Sequence, residues 1–346
     1  MSTLKSLKLA VVAVATSCVA LSASAQDLRG AGSSFVNPLF QKMFSQYTAS
    51  KVDYQSIGSG GGIAQLTAKT VDFGDSDAPL NDEQTTKMGG PAAVLHIPMT
   101  SGAVVVTYNV PGVASGLKLS GKDLADIYLG KVTKWNSPEI AATNKGVNLP
   151  DLPIVVIHRS DGSGTSFIFT DYLTKVNADW ASKVGKASAP NWPAGLGGKG
   201  SEGVAGLVKQ TPGAIGYVEL AYAIQNKMPY GYIQNKGGKF IDPTLAATTL
   251  ASNVAIPADT KVSITNTDNP AGYPIASFTW ALIYKEQDYD GRTKEKATAL
   301  LKLLWWNIHE GQKFCEALNY APLSKSAVKA AEAVLKSATY KGKAIL

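Results

Sequence analysis

The stretch PIVVIHRSDGSGTSFIFT, Pro153–Thr170, passes from an apolar run through a polar turn and back into an apolar pattern. Ile154–Ile157 has strand character, while Phe167, Ile168, Phe169 and Tyr172 recur with helical spacing. The stretch therefore reads as strand, turn and helix. Gly162 and Gly164 permit a tight turn, and Ser163, Thr165 and Ser166 bring hydroxyls to the point where the first helical N–H groups lack partners. Such a corner is an anion cradle in outline. Arg159 at the strand end supplies a planar, permanently charged fork, and Asp161 stands two residues on to hold it. For this segment alone, an ordinary corner with a capping serine is the simpler explanation.

Two more corners of the same kind precede it. From Arg29 onward, RGAGSSFVNPLFQKMF breaks a short strand at Gly30 and Gly32 and offers Ser33 or Ser34 as a cap. It continues in the apolar helical stripe Leu39, Phe40, Met43, Phe44 and Tyr47. VDYQSIGSGGGIAQLT then sets Gly58, Gly60, Gly61 and Gly62 around Ser59, ahead of a helix carrying Ile63 and Leu66. This cluster has neither the spacing nor the Lys-Ser/Thr ending of nucleotide loops, so nucleotide binding is not indicated. In VDFGDSDAPL, Val71 and Phe73 suggest a short buried strand, with Asp75, Ser76 and Asp77 past its end and Pro79 forcing a turn. An aspartate so placed is usually a turn or cap carboxylate.

With 346 residues, 45% of them hydrophobic, the chain has enough apolar material for one large or two medium globular domains. Its start, MSTLKSLK followed by an apolar run and the ending SASA before Gln26, reads as a secretory signal peptide, residues 1–25, cut between Ala25 and Gln26. The run is shorter than the ~20 apolar residues of a spanning helix. Lipid modification at Cys18 is disfavoured by the poor approach Ala15-Thr16-Ser17. Removing Lys5 and Lys8 lowers the formal charge from +7 to +5. The remaining lysines are scattered, and nucleic-acid binding is not expected. After cleavage only Cys315 remains, in a helical apolar pattern that reads as core, so no intrachain disulfide is expected. His96, His158 and His309 lack metal-ligand spacing, and neither a metal nor a cofactor is expected.

Alternating strands and helices imply parallel α/β sheets. Two long strand patterns, Ala92–Val110 and Tyr273–Lys285, stand apart, and only helices are expected after them. The layout suggests a chain that begins one lobe, crosses near Pro98–Val106, builds a second lobe and returns near Tyr273. Two crossing strands make a hinge, and hinged lobes close on ligands.

The ordered set GAGSSF, YQSIGSGGG, VDFGDSDAPL, IYLGKVTKW, RSDGSGTSFIFT, LGGKGSEGV and PGAIGYVE resembles the periplasmic phosphate-binding proteins that feed the ABC-type phosphate importer, across essentially the whole mature chain. The resemblance implies an α/β type II periplasmic-binding-protein fold with two lobes joined by two hinge strands. Lobe 1 is expected over 26–100 and 276–346, and lobe 2 over 101–275. It further implies a monomer that binds inorganic phosphate, serves an inner-membrane ABC permease and catalyses nothing. Carried over by position, Ser34 and Phe35 supply hydroxyl and backbone donors, Ser59 sits in the second corner, and Asp77 is the ligand-facing carboxylate. Arg159 is the fork, Ser163, Gly164 and Thr165 are helix-start donors, and Asp161 partners the arginine. Asp75 departs from the pattern by adding a second carboxylate, and it is expected to point to solvent beyond the strand end.

A carboxylate beside a bound anion repels it unless the anion brings a proton. Phosphate at neutral pH does, and fully ionised sulfate does not, so Asp77 would discriminate between them. An uncompensated buried carboxylate facing sulfate would cost roughly 3–5 kcal/mol by analogy with a broken buried charge pair. The rival readings are an exported phosphatase using the same cradle, which lacks a GxSxG or metal motif here, and a binder of another tetrahedral oxyanion.

Overall fold

The structure is a computed structural model that describes residues 26–346. The expected signal peptide, residues 1–25, lies outside the described residues. The strands run β1 Leu28–Gly32, β2 Val52–Ser56, β3 Phe73–Ser76, β4 Val94–Tyr108, β5 Lys118–Leu119, β6 Val155–Arg159, β7 Leu196–Gly198, β8 Ala214–Glu219, β9 Tyr232–Gln234, β10 Phe240–Ile241 and β11 Ala276–Tyr284. Eight of them form one sheet in the order β2-β1-β3-β11-β4-β8-β6-β7, and β10-β9-β5 form a smaller one.

The pairs β1–β2, β1–β3, β6–β8 and β6–β7 are parallel, as strand–helix alternation predicts. The central pairs β3–β11, β11–β4 and β4–β8 are antiparallel. This departure from an all-parallel expectation has a topological cause: the chain leaves one half on β4 and re-enters it on β11, so no βαβ crossover links these neighbours. Along β4, Val94–Ala103 pairs with β11, whereas Val104–Tyr108 pairs with β8. A register shift between Thr279 and Trp280 sets those residues opposite Thr100 and Pro98 and leaves Met99 as the extra residue. Proline has no N–H to give the ladder, and bulges re-aim side chains. Helices do not fill the end of the chain alone, because Thr339–Tyr340 and Lys343–Ala344 pair as a short ladder.

β4 is buried along nearly its whole length because helices cover both faces of the sheet, which is why it reads as a continuous apolar run. On one side Phe40, Phe44, Tyr54 and Phe73 form an aromatic cluster beneath β1–β3. On the other, Tyr128, Phe169, Trp192 and Tyr217 pack beside β6 and β8. Cys315 lies fully inside the core, and burial pushes its thiol up to about 12.

Candidate anion-binding site

The three Gly/Ser corners meet where β1, β2, β3 and β6 end. Beyond β1, the chain turns through Ser33–Val36 into the helix Asn37–Gln46, whose N-cap is Val36 with no side-chain bond. Neither Ser33 nor Ser34 caps it. Ser33 Oγ instead donates to Asp77 Oδ1 at 2.6 Å and accepts from the Phe35 N–H at 3.0 Å. The backbone donor that the resemblance assigns to Phe35 is therefore engaged within its own turn. Ser34 Oγ accepts from the Ser201 N–H at 3.1 Å and lies 2.9 Å from Ser201 Oγ.

In the second corner, Gly58 opens the helix Gly58–Thr67 at φ +79, where a Cβ would stand 2.2 Å from Asp161 Oδ2. Only glycine meets both demands. Ser59 Oγ accepts from the Gly164 N–H at 3.1 Å and the Asp77 N–H at 3.3 Å, so one hydroxyl ties this corner to the acid and to the third corner. The Gly60 N–H donates to Gly162 O at 2.8 Å.

In the third corner, β6 ends at Arg159, whose Nε and Nη2 donate to Asp161 Oδ1 and Oδ2 at 2.7 and 2.5 Å. Gly200 N–H adds a 3.1 Å bond to Asp161 Oδ1. Burial raises the Asp161 carboxyl, but the Arg159 bonds and charge overcome this and hold it below its ordinary value. Ser163 is the N-cap of the helix Gly164–Val176, accepting from the Ser166 N–H at 3.0 Å. At Gly164 a Cβ would fall 2.6 Å from Asp77 Oδ2, so the close approach of this helix to the acid requires glycine. Thr165 Oγ1 is buried without a hydrogen-bond partner among the described residues. His158 stacks on Trp192 with ring centroids 4.9 Å apart, away from the fork, as strand alternation predicts.

Asp77 is 1% exposed. Thr279 Oγ1 lies 2.7 Å from its Oδ1, which Ser33 also contacts, while its Oδ2 has no hydrogen-bond partner among the described residues. Burial pushes the Asp77 carboxyl up to about 6, against the Ser33 and Thr279 hydrogen bonds and the Arg159 charge, which pull it down. Asp75 does not point to solvent: it is 0% exposed, and Thr279 Oγ1 lies 2.7 Å from its Oδ1. β3 is flanked by β1 on one edge and β11 on the other, and Ala281 pairs directly with Asp75, so no strand end is open there. Burial first, and then the neighbouring Asp77 charge, drive the Asp75 carboxyl well above its ordinary range.

The fold thus brings Ser59, Asp77, Arg159, Ser163, Gly164 and Thr165 into one buried cluster, with Ser34 and Phe35 on its β1 side. Sequence reasoning passed over Ser201, Thr279 and the bonding role of Ser33. Ser201 had a visible sign, a fourth glycine-serine helix start at Gly200-Ser201, while Thr279 showed only as a polar residue inside an apolar strand.

A model of the PBP superfamily domain matches residues 19–305. The phosphate-binding protein PstS of Xylella fastidiosa is 44% identical over 315 residues, covering 88% of this chain and 84% of that protein. That of Pasteurella multocida is 40% identical over 334 residues, covering 94% and 95%. The chain belongs to the PstS phosphate-binding protein family. Among solved structures, a high-affinity periplasmic phosphate-binding protein bound with phosphate superposes at a TM-score of 0.71 with 19% identity, covering 89% of this chain and 93% of its own. The Clostridium perfringens putative phosphate ABC transporter substrate-binding protein gives 0.62 at 17% identity, covering 86% and 100%. At such identities the likeness shows the fold, a type II periplasmic-binding-protein fold of two α/β lobes joined by two strands.

Proposed function

We propose that the protein is a periplasmic, monomeric receptor that engulfs inorganic phosphate between its lobes and delivers it to an inner-membrane ABC-type permease, without chemistry on the ligand. The lobe division expected from the sequence, 26–100 with 276–346 against 101–275, accords with β4 pairing β11 through Ala103 and β8 beyond it. The single observation that carries the reading is Asp77: a buried carboxylate whose Oδ2 is unpaired among the described residues, set among helix starts and beside Arg159. An acceptor of that kind suits an oxyanion that still carries hydrogen. Arg159, held side-on by Asp161, supplies the positive charge. Ser34, Phe35, Ser59, Ser163, Gly164 and Thr165 supply neutral donors by hydroxyl rotation or small adjustments of the corners as the lobes open and close. Sites built around a required hydrogen-bond partner reject analogues lacking it by about four to five decades.

Calorimetric titration of the mature protein with phosphate, arsenate and sulfate tests the reading. One phosphate bound per chain with no heat from equimolar sulfate is expected, and equal heats would overturn the selectivity. The phosphatase alternative predicts release of phosphate from nitrophenyl phosphate by the purified protein. His158, turned onto Trp192, is not placed to serve that alternative as a base.

A further inference from the structure

The resemblance assigns the ligand-facing carboxylate to Asp77, and this chain sets a second buried acid, Asp75, beside it. Asp75 and Asp77 lie on one extended segment with Thr279 Oγ1 between them, 2.7 Å from an oxygen of each. A threonine hydroxyl has one hydrogen and donates it once. Two short contacts to two carboxylates therefore need a second hydrogen, and one of the acids must carry it. Asp77 has further reasons to stay ionised, the Ser33 hydroxyl and the Arg159 charge among them, whereas among the described residues Thr279 is the one side chain that bonds Asp75. The arrangement is then Asp75 O–H to Thr279 Oγ1, and Thr279 O–H to Asp77 Oδ1. With Ser33 and Thr279 both on Oδ1, Asp77 Oδ2 is the oxygen left to meet a ligand.

We propose that Asp75 is a pH-dependent affinity-determining residue of this site: as a neutral acid it braces Asp77 through Thr279, and on ionising it weakens the hold on phosphate. This rests on the phosphate reading above. The other groups around the pair do not favour ionisation of Asp75. Asp77 faces it on its own segment and the buried Tyr54 from β2, while Glu219 from β8 and Tyr320 act on the pair through Asp77. Arg159 from β6, paired with Asp161, acts on Asp77 and is not among the main influences on Asp75. Because its carboxyl is raised, Asp75 is neutral below its folded-state pKa and charged above it. A bound anion opposes that charge, so binding at high pH takes up a proton.

The test is calorimetric titration with inorganic phosphate of the mature protein and Asp75→Asn, from mildly acidic to alkaline pH, in buffers of differing ionisation heat. Expected are matching affinities at the acidic end. Above the Asp75 transition the unmodified protein should lose affinity by up to about tenfold per pH unit more than Asp75→Asn and take up to one additional proton per phosphate. Ionisation of phosphate itself acts on both proteins alike and drops out of the comparison. Asp75→Ser, which has no ionisable group and a hydroxyl too short to keep the contact with Thr279, is the second variant; relative to its own affinity at the acidic end it should likewise lack the additional loss and proton uptake above the Asp75 transition. Identical pH profiles and proton uptake in the unmodified protein and either folded variant overturn the role of Asp75 while leaving phosphate binding intact. Absence of phosphate binding at every pH overturns the underlying reading instead.

Discussion

At the scale of single residues, Asp77 sets function against stability. The rise of its carboxyl from 3.8 to about 6 means that the folded protein binds its proton more tightly than the unfolded chain does. There is no penalty below about 4, and it is fully present above about 6, where it amounts to about 3 kcal/mol. Asp77→Asn keeps an oxygen for Ser33 and Thr279 but removes the charge. Urea denaturation of the ligand-free variant should show higher stability at neutral pH and no decline between pH about 4 and 6. The same substitution should relax discrimination against sulfate more than it weakens phosphate binding, and competition calorimetry checks the ratio. Arg159→Lys loses the two-point hold on Asp161 and the directed fork, so phosphate affinity should drop by tenfold or more, at least about 1.4 kcal/mol. The Asp75–Thr279–Asp77 contact was not legible in the sequence. It joins residues some 200 apart through the pairing of β3 with β11 and a register shift at Thr279, and no local pattern encodes either.

At the scale of elements, the corners were legible because their cause is local. Glycine is required where φ is positive or where backbone approaches backbone, and the sequence displays it at Gly58, Gly60, Gly162 and Gly164. The partners of each corner were not legible, since Ser59 bonds Gly164 across 105 positions. Gly58→Ala should add about 1–3 kcal/mol of backbone strain and push Asp161 away from Arg159, visible as a lower unfolding midpoint together with weaker phosphate binding. Ser163→Ala removes the cap of the helix Gly164–Val176 and should cost about 1 kcal/mol in denaturant unfolding. The parallel pairing expected from strand–helix alternation holds for β1 with β2 and β3 and for β6 with β7 and β8. It fails at the small β9–β10 ladder and at β3–β11, β11–β4 and β4–β8, where β4 and β11 obey the return path of the chain.

At the scale of the whole molecule, phosphate binds the folded state alone, so a hundredfold excess over Kd should stabilise it by about 2.7 kcal/mol in thermal unfolding, with sulfate giving no comparable gain. The two lobes were legible from the two long strands and the ordered motifs, because both reflect chain order and not pairing. The way they share β4 was not. Val94–Ala103 belongs to one lobe's ladder and Val104–Tyr108 to the other's, with no linker between them. Melting either lobe strips one edge from the strand on which its neighbour depends. Differential scanning should accordingly record a single endotherm rather than two, and a protein built of two hinged bodies should die as one.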